Sequence, residues 1–548
     1  MCSIYIMGQS LLVSIASSKM GTGGYTNHHC LLLLLSLCSC SLVAIANVGC
    51  GANWLNHGKD LTNRRFAYEE EKISPVTVSQ LQLKWKFVAG KDITATPAIF
   101  DGILYFPSWN GNLKWLLVWK KNLGELTGLN ATGFVANVNS TVSRSTPTVV
   151  GSILIVGIYG PAVVIAVDRA TGNLVWSTRL DSHAAAVITM SGTVFGRGFY
   201  VGVSSLEEGS AVGQCCTFQG SMARLDVKTG AIQWQTFMLP DNGGQIGGYS
   251  GAAVWGSSPS IDVGRGLVYI GTGNLYTAPP DVIECEEIQS NKTVRDYPDP
   301  CVEPENHENS IIALDMDTGE MRWYKQLGGF DAWILACSVT GTPNCPSVPN
   351  PDADFGEAPM LLTIVANGTT RYVVAAVQKN GFAWALDRDH GDIVWSAVAG
   401  PGGTFGGGTW GASTDGIRVY TNIVNNDRLN FTLTPSGQVT NAGAWVAMDA
   451  NTGRVLWSTA NPKNALNNGP VTTANGVLFA GSTDASGPIY AMDAKTGTIL
   501  WSYDTGATVY GGLSVSDGCI YVGSGYAVNI GAFVPSWTAG TSLFAFCV

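Results

Sequence analysis

The sequence predicts an all-β fold, an eight-bladed β-propeller. Three observations support this prediction. The phrase Asp-x-x-Thr-Gly-x-x-x-Trp recurs with fixed internal spacing, its copies are separated by enough chain for four short strands, and the two ends of the chain resemble complementary halves of one copy. Units of about 40 to 50 residues that repeat a signature of this kind are typical of propeller blades.

Each copy of the phrase predicts a β-hairpin. An apolar run leads into the turn and a second run ends in Trp, while Asp and Gly suit the tight turn between two strands. One hairpin cannot bury its own faces, so regular repetition indicates stacked sheets. The copies are Asp168–Trp176, Asp226–Trp234, Asp315–Trp323, Asp387–Trp395 (with His390 for Thr), Asp449–Trp457 and Asp493–Trp501.

The number of tryptophans in this register predicts the number of blades. Trp85 and Trp119 lie in weaker copies and complete the series 85, 119, 176, 234, 323, 395, 457 and 501. The C-terminal TSLFAFCV resembles the strand before the turn, and LKWKF near the start resembles the Trp strand alone. Pairing residues 81–87 with 541–548 would close the ring and leave no free sheet edge.

The first blade is shortened. Gly precedes Trp by fourteen residues in three repeats, as from Gly220 to Trp234, but Gly111 precedes Trp119 by only eight. About six residues are therefore missing relative to the repeat. The gap has two alternative explanations, real divergence of this blade or a mispredicted splice junction.

Three segments divide the chain. Residues 1–46 are expected to be an N-terminal extension and signal peptide, because Cys30–Ala46 is an apolar core that ends in the small-residue pattern Ala44-Ile45-Ala46. Met20 is a second candidate start. The core is too short for a convincing membrane span. Residues 47–80, here called the lead-in segment, precede the propeller of residues 81–548.

The composition excludes some partners and indicates a compartment. The net charge is −10, which argues against nucleic acid as a partner, and there is no CxxCH for covalent haem. We expect disulfides between Cys285 and Cys301 and between Cys337 and Cys345, although the nine cysteines after Ala46 leave one thiol to explain. Glycosylation sequons, which suit a secreted or wall-associated protein, occur at Asn130, Asn139, Asn291, Asn367 and Asn430.

Two intervals between successive tryptophans are longer than the others. The interval before Trp323 contains residues 281–308, which are rich in charge and Pro, and the next contains residues 336–356. Loops on one rim of a propeller usually carry function, so both insertions are expected near the site.

Four phrases between Val203 and Lys379 carry the chemistry: VSSLEEG, SGAAVWGSSPSIDVGRGLVYIGTGN, WYKQLGGFDAW and QKNGFAWALDRDHG. They resemble the pyrroloquinoline-quinone (PQQ) dependent alcohol dehydrogenases, the quinoprotein alcohol dehydrogenase-like propellers built of PQQ repeats, and most of all the plant polyvinyl-alcohol-dehydrogenase-like group. The Asp-x-x-Thr-Gly-x-x-x-Trp phrase is the docking motif of that family. Propellers without a cofactor carry it too, so function must be argued from the site.

The resemblance implies a role for each matched residue. Glu207 and Asn274 would bind Ca²⁺, with adjacent Glu208 as an alternative to Glu207. Trp255 would stack on PQQ, and Lys379 would lie beside the quinone oxygens. Asp331 would be the general base and a further metal ligand. These residue types suit the chemistry, since hard cations take carboxylate and amide oxygens and a carboxylate can accept the alcohol proton.

Other features agree less closely with the family. Cys215-Cys216 matches a vicinal disulfide that lies over the cofactor in relatives, but it follows Glu207 where theirs precedes the Glu, so it is a candidate lid only. Arg144 either reaches the cofactor carboxylates or is a solvated loop residue. Ile334 replaces a second acid of the family motif.

The functional prediction is a secreted quinoprotein dehydrogenase with PQQ and Ca²⁺, acting on an alcohol such as a polyol or a polymeric alcohol. The haem domain of the large polymer-oxidising relatives is missing, so electrons would leave to a separate acceptor. No membrane span is expected in the mature chain, and a plant protein of this kind would occupy the cell wall or apoplast. The alternative is a cofactor-free propeller that acts as an extracellular binding or scaffold protein.

Overall fold

The computed structural model describes residues 53–548 except 116–118, 133–137, 293–299, 339–350 and 367. The predicted signal peptide, Cys50, Cys345 and the sequon at Asn367 lie outside the described residues. In the part of the chain that is described, no helix is both long and apolar enough to cross a membrane.

Eight sheets, each with four antiparallel strands and two of them with a fifth short strand, form the blades, which confirms the predicted eight-bladed propeller. Each blade has an innermost, a second, a third and an outer strand. The innermost strands of blades 1 to 8 are Ala98–Phe100, Thr148–Val150, Thr193–Phe195, Ser260–Asp262, Met360–Ala366, Ser413–Thr414, Thr472–Ala474 and Ser514–Ser516. The second strands are Ile103–Ser108, Ile153–Gly157, Gly198–Ser205, Leu267–Gly271, Thr369–Val377, Arg418–Ile423, Val477–Gly481 and Cys519–Gly523.

The third and outer strands form the hairpins that the repeat predicts. The third strands are Asn112–Trp115, Val163–Asp168, Ser221–Asp226, Ser310–Asp315, Phe382–Asp387, Ala444–Asp449, Pro488–Asp493 and Ser542–Cys547. The outer strands are Trp119–Asn122, Leu174–Arg179, Ile232–Phe237, Met321–Gln326, Ile393–Val398, Val455–Ala460, Ile499–Asp504 and Gln82–Val88.

Short elements outside the blades belong to the loops. The additional strands are Phe66–Ala67, Ala186–Val187, Ser250–Gly251, Leu275–Thr277, Phe431–Thr432 and Val439–Thr440. The α-helices are Leu123–Thr127 and Pro280–Ser290, and the 3₁₀ helices are Val78–Gln80, Glu207–Gly209, Val212–Gln214, Leu335–Ser338 and Asn529–Phe533.

The repeated Trp docks one blade onto the next at six junctions. The indole N–H of Trp395 donates to the carbonyl of Ala450 at 3.0 Å. Its ring lies against Gly453, where a Cβ would come within 2.5 Å of Cε3 and where φ is +72°, so only glycine fits without strain. The same indole-to-carbonyl bond occurs at Trp119, Trp176, Trp234, Trp323 and Trp457. We call this set of contacts the docking girdle.

The two ends of the chain close the ring as predicted. The outer strand Gln82–Val88 pairs with the C-terminal strand Ser542–Cys547 in blade 8. A disulfide joins Cys519 to Cys547 and ties that C-terminal strand to its inner neighbour. The cysteine pattern alone did not predict this pair, because it joins strands and does not enclose an insertion.

The shortened first blade keeps its function in the girdle. It still has four strands, and the indole of Trp119 donates to Arg169 of the second blade at 2.9 Å. A Cβ at Gly172 would collide with the Trp119 ring, as at the other junctions. The missing residues therefore shorten the hairpin without removing the contact between blades.

The lead-in segment lies inside the ring of innermost strands. Its backbone bonds to that ring in chain order, from Trp54 with Ile99 of blade 1 to Arg65 with Thr473 of blade 7. The intermediate partners are Val149, Ile261, Leu361 and Thr414, and the side chain of Asn56 reaches Thr193. The Arg65 guanidinium bonds to the carbonyl of Leu513 before the innermost strand of blade 8. One segment thus touches all eight blades.

The insertion before Trp323 contains the predicted Cys285–Cys301 disulfide, which is confirmed. It attaches the middle of helix Pro280–Ser290 to Cys301. The second predicted pair cannot be compared, because Cys345 lies outside the described residues. The second insertion is described again from residue 351, directly before the innermost strand of blade 5.

Candidate active site

A cavity of about 430 Å³ lies in the centre of the ring, among the loops that lead into the innermost strands. This volume is in the range of pockets that bind small organic ligands. Four residues predicted for the site line it together, although they come from three blades. They are Arg144, Trp255, Asn274 and Lys379.

Lys379 lies at the acidic side of this central cavity. The residue follows the second strand of blade 5, and its ammonium group is 2.8 Å from Asp352 Oδ1 and 2.9 Å from Asp354 Oδ2. It is also 5.4 Å from the centre of the Trp255 ring. Lys379, predicted to lie beside the quinone oxygens, is therefore next to Trp255, the ring predicted to stack on the quinone.

The acidic side carries more negative than positive charge. Glu208, Asp352 and Asp354 face one ammonium, that of Lys379. Burial raises the pKa of Glu208 to about 7 and that of Asp352 well above its usual range, although Lys379 opposes both shifts. Burial lowers the pKa of Lys379, but the surrounding carboxylates outweigh it and the net direction is upward. An added cation would relieve this excess of carboxylates.

Asn274 is held so that its side-chain oxygen is free for other use. The amide nitrogen donates to the carbonyls of Leu275 at 2.7 Å and Trp333 at 2.8 Å. Both amide hydrogens are then occupied. The residue lines the cavity, so its oxygen is the atom that a ligand there would meet.

Trp255 is fixed on two sides. Its indole N–H donates to Asp354 at 3.1 Å, and its carbonyl accepts from the Thr189 hydroxyl at 2.8 Å. Trp410 meets it edge to face at 4.8 Å between ring centres. These contacts fix the plane of the Trp255 ring.

Arg144 lies at the opposite, aromatic side of the cavity. It is buried, and its guanidinium lies 4.0 Å from the centre of the Trp410 ring. Tyr159, Tyr510 and Tyr526 surround it at 5.6 to 5.8 Å. Among the described residues no carboxylate pairs with it. A buried guanidinium without an acidic partner is suited to bind an anion.

Trp410 was not predicted from the sequence. Its φ of +68° is unusual for a bulky residue, and its backbone is held by bonds to Gly356 and to His57 of the lead-in segment. The indole N–H donates to the Tyr510 hydroxyl at 2.5 Å. Backbone held in this region often marks a functional site.

Glu207 and Glu208, which the sequence could not distinguish, point to different surroundings. Glu207 is buried, and its carboxylate accepts from the N–H groups of Thr217 and Phe218 and contacts His183 at 3.2 Å. It does not line the cavity, whereas Glu208 does.

Asp331 lies behind the cavity wall. Its carboxylate accepts the N–H groups of Asp352 at 3.1 Å and Ala353 at 2.6 Å, together with the Asn309 amide at 3.0 Å. It is fully buried and is not among the residues that line the cavity. Asp331 thus holds the backbone of the segment that carries Asp352, and its position does not favour the predicted direct contact with substrate.

Cys215 and Cys216 form a disulfide across a cis peptide bond. Both are buried, and neither lines the cavity. The Cys215 sulfur lies 3.8 Å from the carbonyl of Glu207. The pair therefore lies beside Glu207 and not over the cavity as the candidate lid.

Asp352 and Asp354 are the acids that sequence reasoning missed. They end the insertion of residues 336–356, which was recognised only as a rim loop. Two acids separated by one residue, placed directly before an apolar strand, were the available signal. Nothing local distinguishes such a pair from a solvated turn, because its lysine partner is 25 residues or more away in sequence.

Comparisons with known proteins agree with this site. Residues 187–401 match the model of the glucose/ethanol/alcohol dehydrogenase β-propeller domain, named PQQ. Residues 442–537 match a model described as outer membrane protein assembly factor BamB. The first match includes Trp255, Asn274, Asp352, Asp354 and Lys379.

Two curated relatives are similar along most of the chain. A polyvinylalcohol dehydrogenase of Pseudomonas sp. is 28% identical over 527 residues, covering 86% of this chain and 73% of the relative. That of Sphingopyxis sp. (strain 113P3) is 29% identical over 526 residues, covering 88% and 74%.

A solved structure has the same fold. The quinohemoprotein alcohol dehydrogenase from Comamonas testosteroni superimposes with a TM-score of 0.68 at 20% identity, over 92% of this chain and 81% of that one. Sequence, fold and the convergence of Trp255, Asn274 and Lys379 agree in their resemblance to the PQQ-dependent alcohol dehydrogenases.

Proposed function

We propose that the protein is a secreted dehydrogenase that oxidises an alcohol in the central cavity, using PQQ together with Ca²⁺. The observation that carries this proposal is the composition of one cavity. It combines an aromatic face, a buried arginine without a described acidic partner, and a cluster of carboxylates around a lysine.

The residues present fit a polyanionic aromatic cofactor. Trp255 offers a ring whose orientation is fixed by its bonds to Asp354 and Thr189. Arg144, on the opposite side, would pair with carboxylates of PQQ through charge-assisted hydrogen bonds. When bound, PQQ supplies the quinone that takes up two electrons from the alcohol.

The residues also fit a divalent cation. Three carboxylates and one ammonium leave an excess of negative charge beside the cavity. Glu208 and Asn274 would supply oxygen ligands of the kind that Ca²⁺ prefers. Glu208 lines the cavity and Glu207 does not, which supports Glu208 as the metal ligand.

Asp352 is our proposal for the group that accepts the hydroxyl proton of the alcohol. It lines the cavity, and its described side-chain contact is with Lys379 at 2.8 Å. Asp331, the base that the resemblance implied, is occupied by three N–H donors and supports Asp352 from behind. The Lys379 ammonium would favour the ionised form of Asp352 and stabilise negative charge that develops nearby.

Apolar residues at the mouth support a substrate larger than a simple alcohol. Phe405, Ile530 and Trp537 line the cavity together with Leu335 and Phe533, whose side chains are 52% and 73% exposed. We propose a polyol or a polymeric alcohol, whose backbone would lie along this mouth. The electrons would pass to a separate acceptor.

Secretion is proposed from the surface chemistry. The sequon residues Asn130, Asn139, Asn291 and Asn430 are exposed. The disulfides Cys285–Cys301 and Cys519–Cys547 suit an oxidising compartment.

A scaffold without cofactor is the second candidate. It is favoured by the match of residues 442–537 to the model of an assembly factor. That segment contains the hairpins of blades 6 and 7 and the first two strands of blade 8, but none of the acids around Lys379.

Calorimetry of the purified chain with PQQ and Ca²⁺, followed by a dye-linked alcohol assay, separates the two candidates. We expect a heat of binding that is abolished by Lys379→Met and retained by Lys495→Met, which changes an exposed lysine in a docking turn. Absence of binding and of dye reduction in the unaltered protein would leave the scaffold function.

A further inference from the structure

Asp354 joins three of the predicted site residues through one carboxylate. Its Oδ1 accepts the backbone N–H of Asn274 at 2.5 Å. Its Oδ2 accepts the indole N–H of Trp255 at 3.1 Å and lies 2.9 Å from the ammonium of Lys379. The side chain is buried, so water does not compete for these bonds.

The three partners come from separate parts of the chain. Trp255 precedes the innermost strand of blade 4, Asn274 follows the second strand of that blade, and Lys379 follows the second strand of blade 5. Apart from the contact of Lys379 with the Trp255 ring, they share the Asp354 carboxylate as their common partner. The insertion before blade 5 thus delivers one group that links two blades.

The backbone around Asp354 is fixed on both sides. Its carbonyl accepts the N–H of Lys379 at 3.0 Å, and the next residue, Phe355, donates to Thr272 at 3.1 Å. A Cβ at Gly273 would lie 2.6 Å from Asp354 Oδ1, and one at Gly356 would lie 2.7 Å from the Trp255 ring. Glycine at these two positions lets the segment approach the ring and the loop closely.

We infer that Asp354 is a positioning residue that holds Trp255, Asn274 and Lys379 in one arrangement. The inference rests on the proposed function, because it assigns the arrangement to cofactor binding. The Asp354 carboxylate has three partners, whereas the described side-chain contact of Asp352 is with Lys379. All three of its partners would be displaced together if its carboxylate were lost.

The test uses the full chain without cofactor, so that it does not depend on turnover. Tryptophan is replaced by 5-fluorotryptophan, and the Trp255 resonance is assigned with Trp255→Phe. The rate at which Lys379 is acylated is measured by peptide mass spectrometry. Asp354→Asn is compared with Asp504→Asn, which changes an exposed acid that pairs weakly with Lys463.

We expect Asp354→Asn to shift or broaden the Trp255 resonance. It should also raise the acylation rate of Lys379 about ten- to a hundredfold, which corresponds to the free energy of one lost hydrogen bond to a charged group. Asp504→Asn should change neither. If both readouts in Asp354→Asn match those of the unaltered chain, the inference is wrong.

Asp354→Glu keeps the charge but adds a methylene, so it cannot keep all three contacts. It should displace the Trp255 resonance in the same direction, and an unchanged resonance would show that charge alone matters. It also keeps the test decisive if Asp354→Asn fails to fold. Binding of PQQ by calorimetry is measured separately. If the unaltered chain does not bind PQQ, the proposed function is wrong. The role of Asp354 is then still decided by the Trp255 resonance and the acylation rate of Lys379.

Discussion

The docking girdle and the central cavity differ in how they are built. In the girdle, one short phrase supplies the same contact at successive junctions, with a Trp indole bonded to a backbone carbonyl and stacked on a glycine. In the cavity no contact repeats. Its acids come from a 3₁₀ turn in blade 3 and from the insertion before blade 5, and its arginine precedes blade 2.

This difference shows that, in a repeat fold, different residues build the fold and form the functional site. Identical contacts between one copy of the phrase and the next join successive blades, although the bonded residues are 37 to 82 positions apart in the chain. Chemistry requires several different groups at one place, which a symmetric repeat cannot supply. The functional residues therefore lie where the repeat is interrupted. Changes in the two regions should affect different measured quantities.

The largest effect is expected in the cavity. Asp352→Asn should lower turnover about 10²- to 10⁴-fold, because an amide cannot accept the alcohol proton. The thermal midpoint should stay close to that of the unaltered protein. Dye-linked oxidation and thermal unfolding of the same preparation measure both quantities.

Asp331→Asn is the matched control. It should destabilise the fold by about 1 to 3 kcal/mol, because one buried acceptor for the N–H groups of Asp352 and Ala353 is lost. Turnover per folded molecule should fall less than in Asp352→Asn. The reverse order of the two turnover losses would return the proton acceptor to Asp331.

In the girdle, Trp395→Ala should cost about 3 to 5 kcal/mol of unfolding free energy, the usual loss for a buried Trp. The affinity of folded molecules for PQQ should be unchanged. Urea unfolding gives the first quantity and calorimetry the second. A selective loss of PQQ affinity at full stability would contradict the separation of the two regions.

Removing the closing disulfide with Cys519→Ser and Cys547→Ser should cost about 3 kcal/mol, as expected for a cross-link between residues 28 positions apart. Amide exchange in Gln82–Val88 should accelerate, because that strand pairs with the released C-terminal strand. Reduction of the unaltered protein should reproduce the loss, and equal midpoints with and without reductant would count against it.

The smallest effect is expected at one docking turn. Asp493 Oδ1 accepts the N–H groups of Lys495 and Thr496 and the Thr496 hydroxyl. Asp493→Ala should cost about 1 kcal/mol, similar to loss of a helix cap. Asp493→Asn retains an acceptor and should cost less. Equal losses in both variants would assign the effect to charge and not to these bonds.

The sequence predicted the docking girdle more completely than the cavity, because the girdle repeats one phrase and the cavity combines residues from unrelated positions. The blade number and the Cys285–Cys301 disulfide follow from local spacing, and the ring closure follows from the complementary chain ends; the structure confirms all three. In the cavity, Trp255, Asn274 and Lys379 were recognised by resemblance and do converge. Glu208, Asp352, Asp354 and Trp410 depend on contacts between distant parts of the chain, which no local pattern encodes.

Among the described residues, the lead-in segment lies on one side of the central cavity. Residues 54–65 bond to the ring of innermost strands, and a void of about 20 Å³, room for about one water molecule, lies between His57 and Arg144. In the proposed function, the alcohol and the electron acceptor would both reach the cavity from the side away from this segment. If they use that opening in turn, the first product leaves before the second substrate reacts, and double-reciprocal plots would be parallel lines.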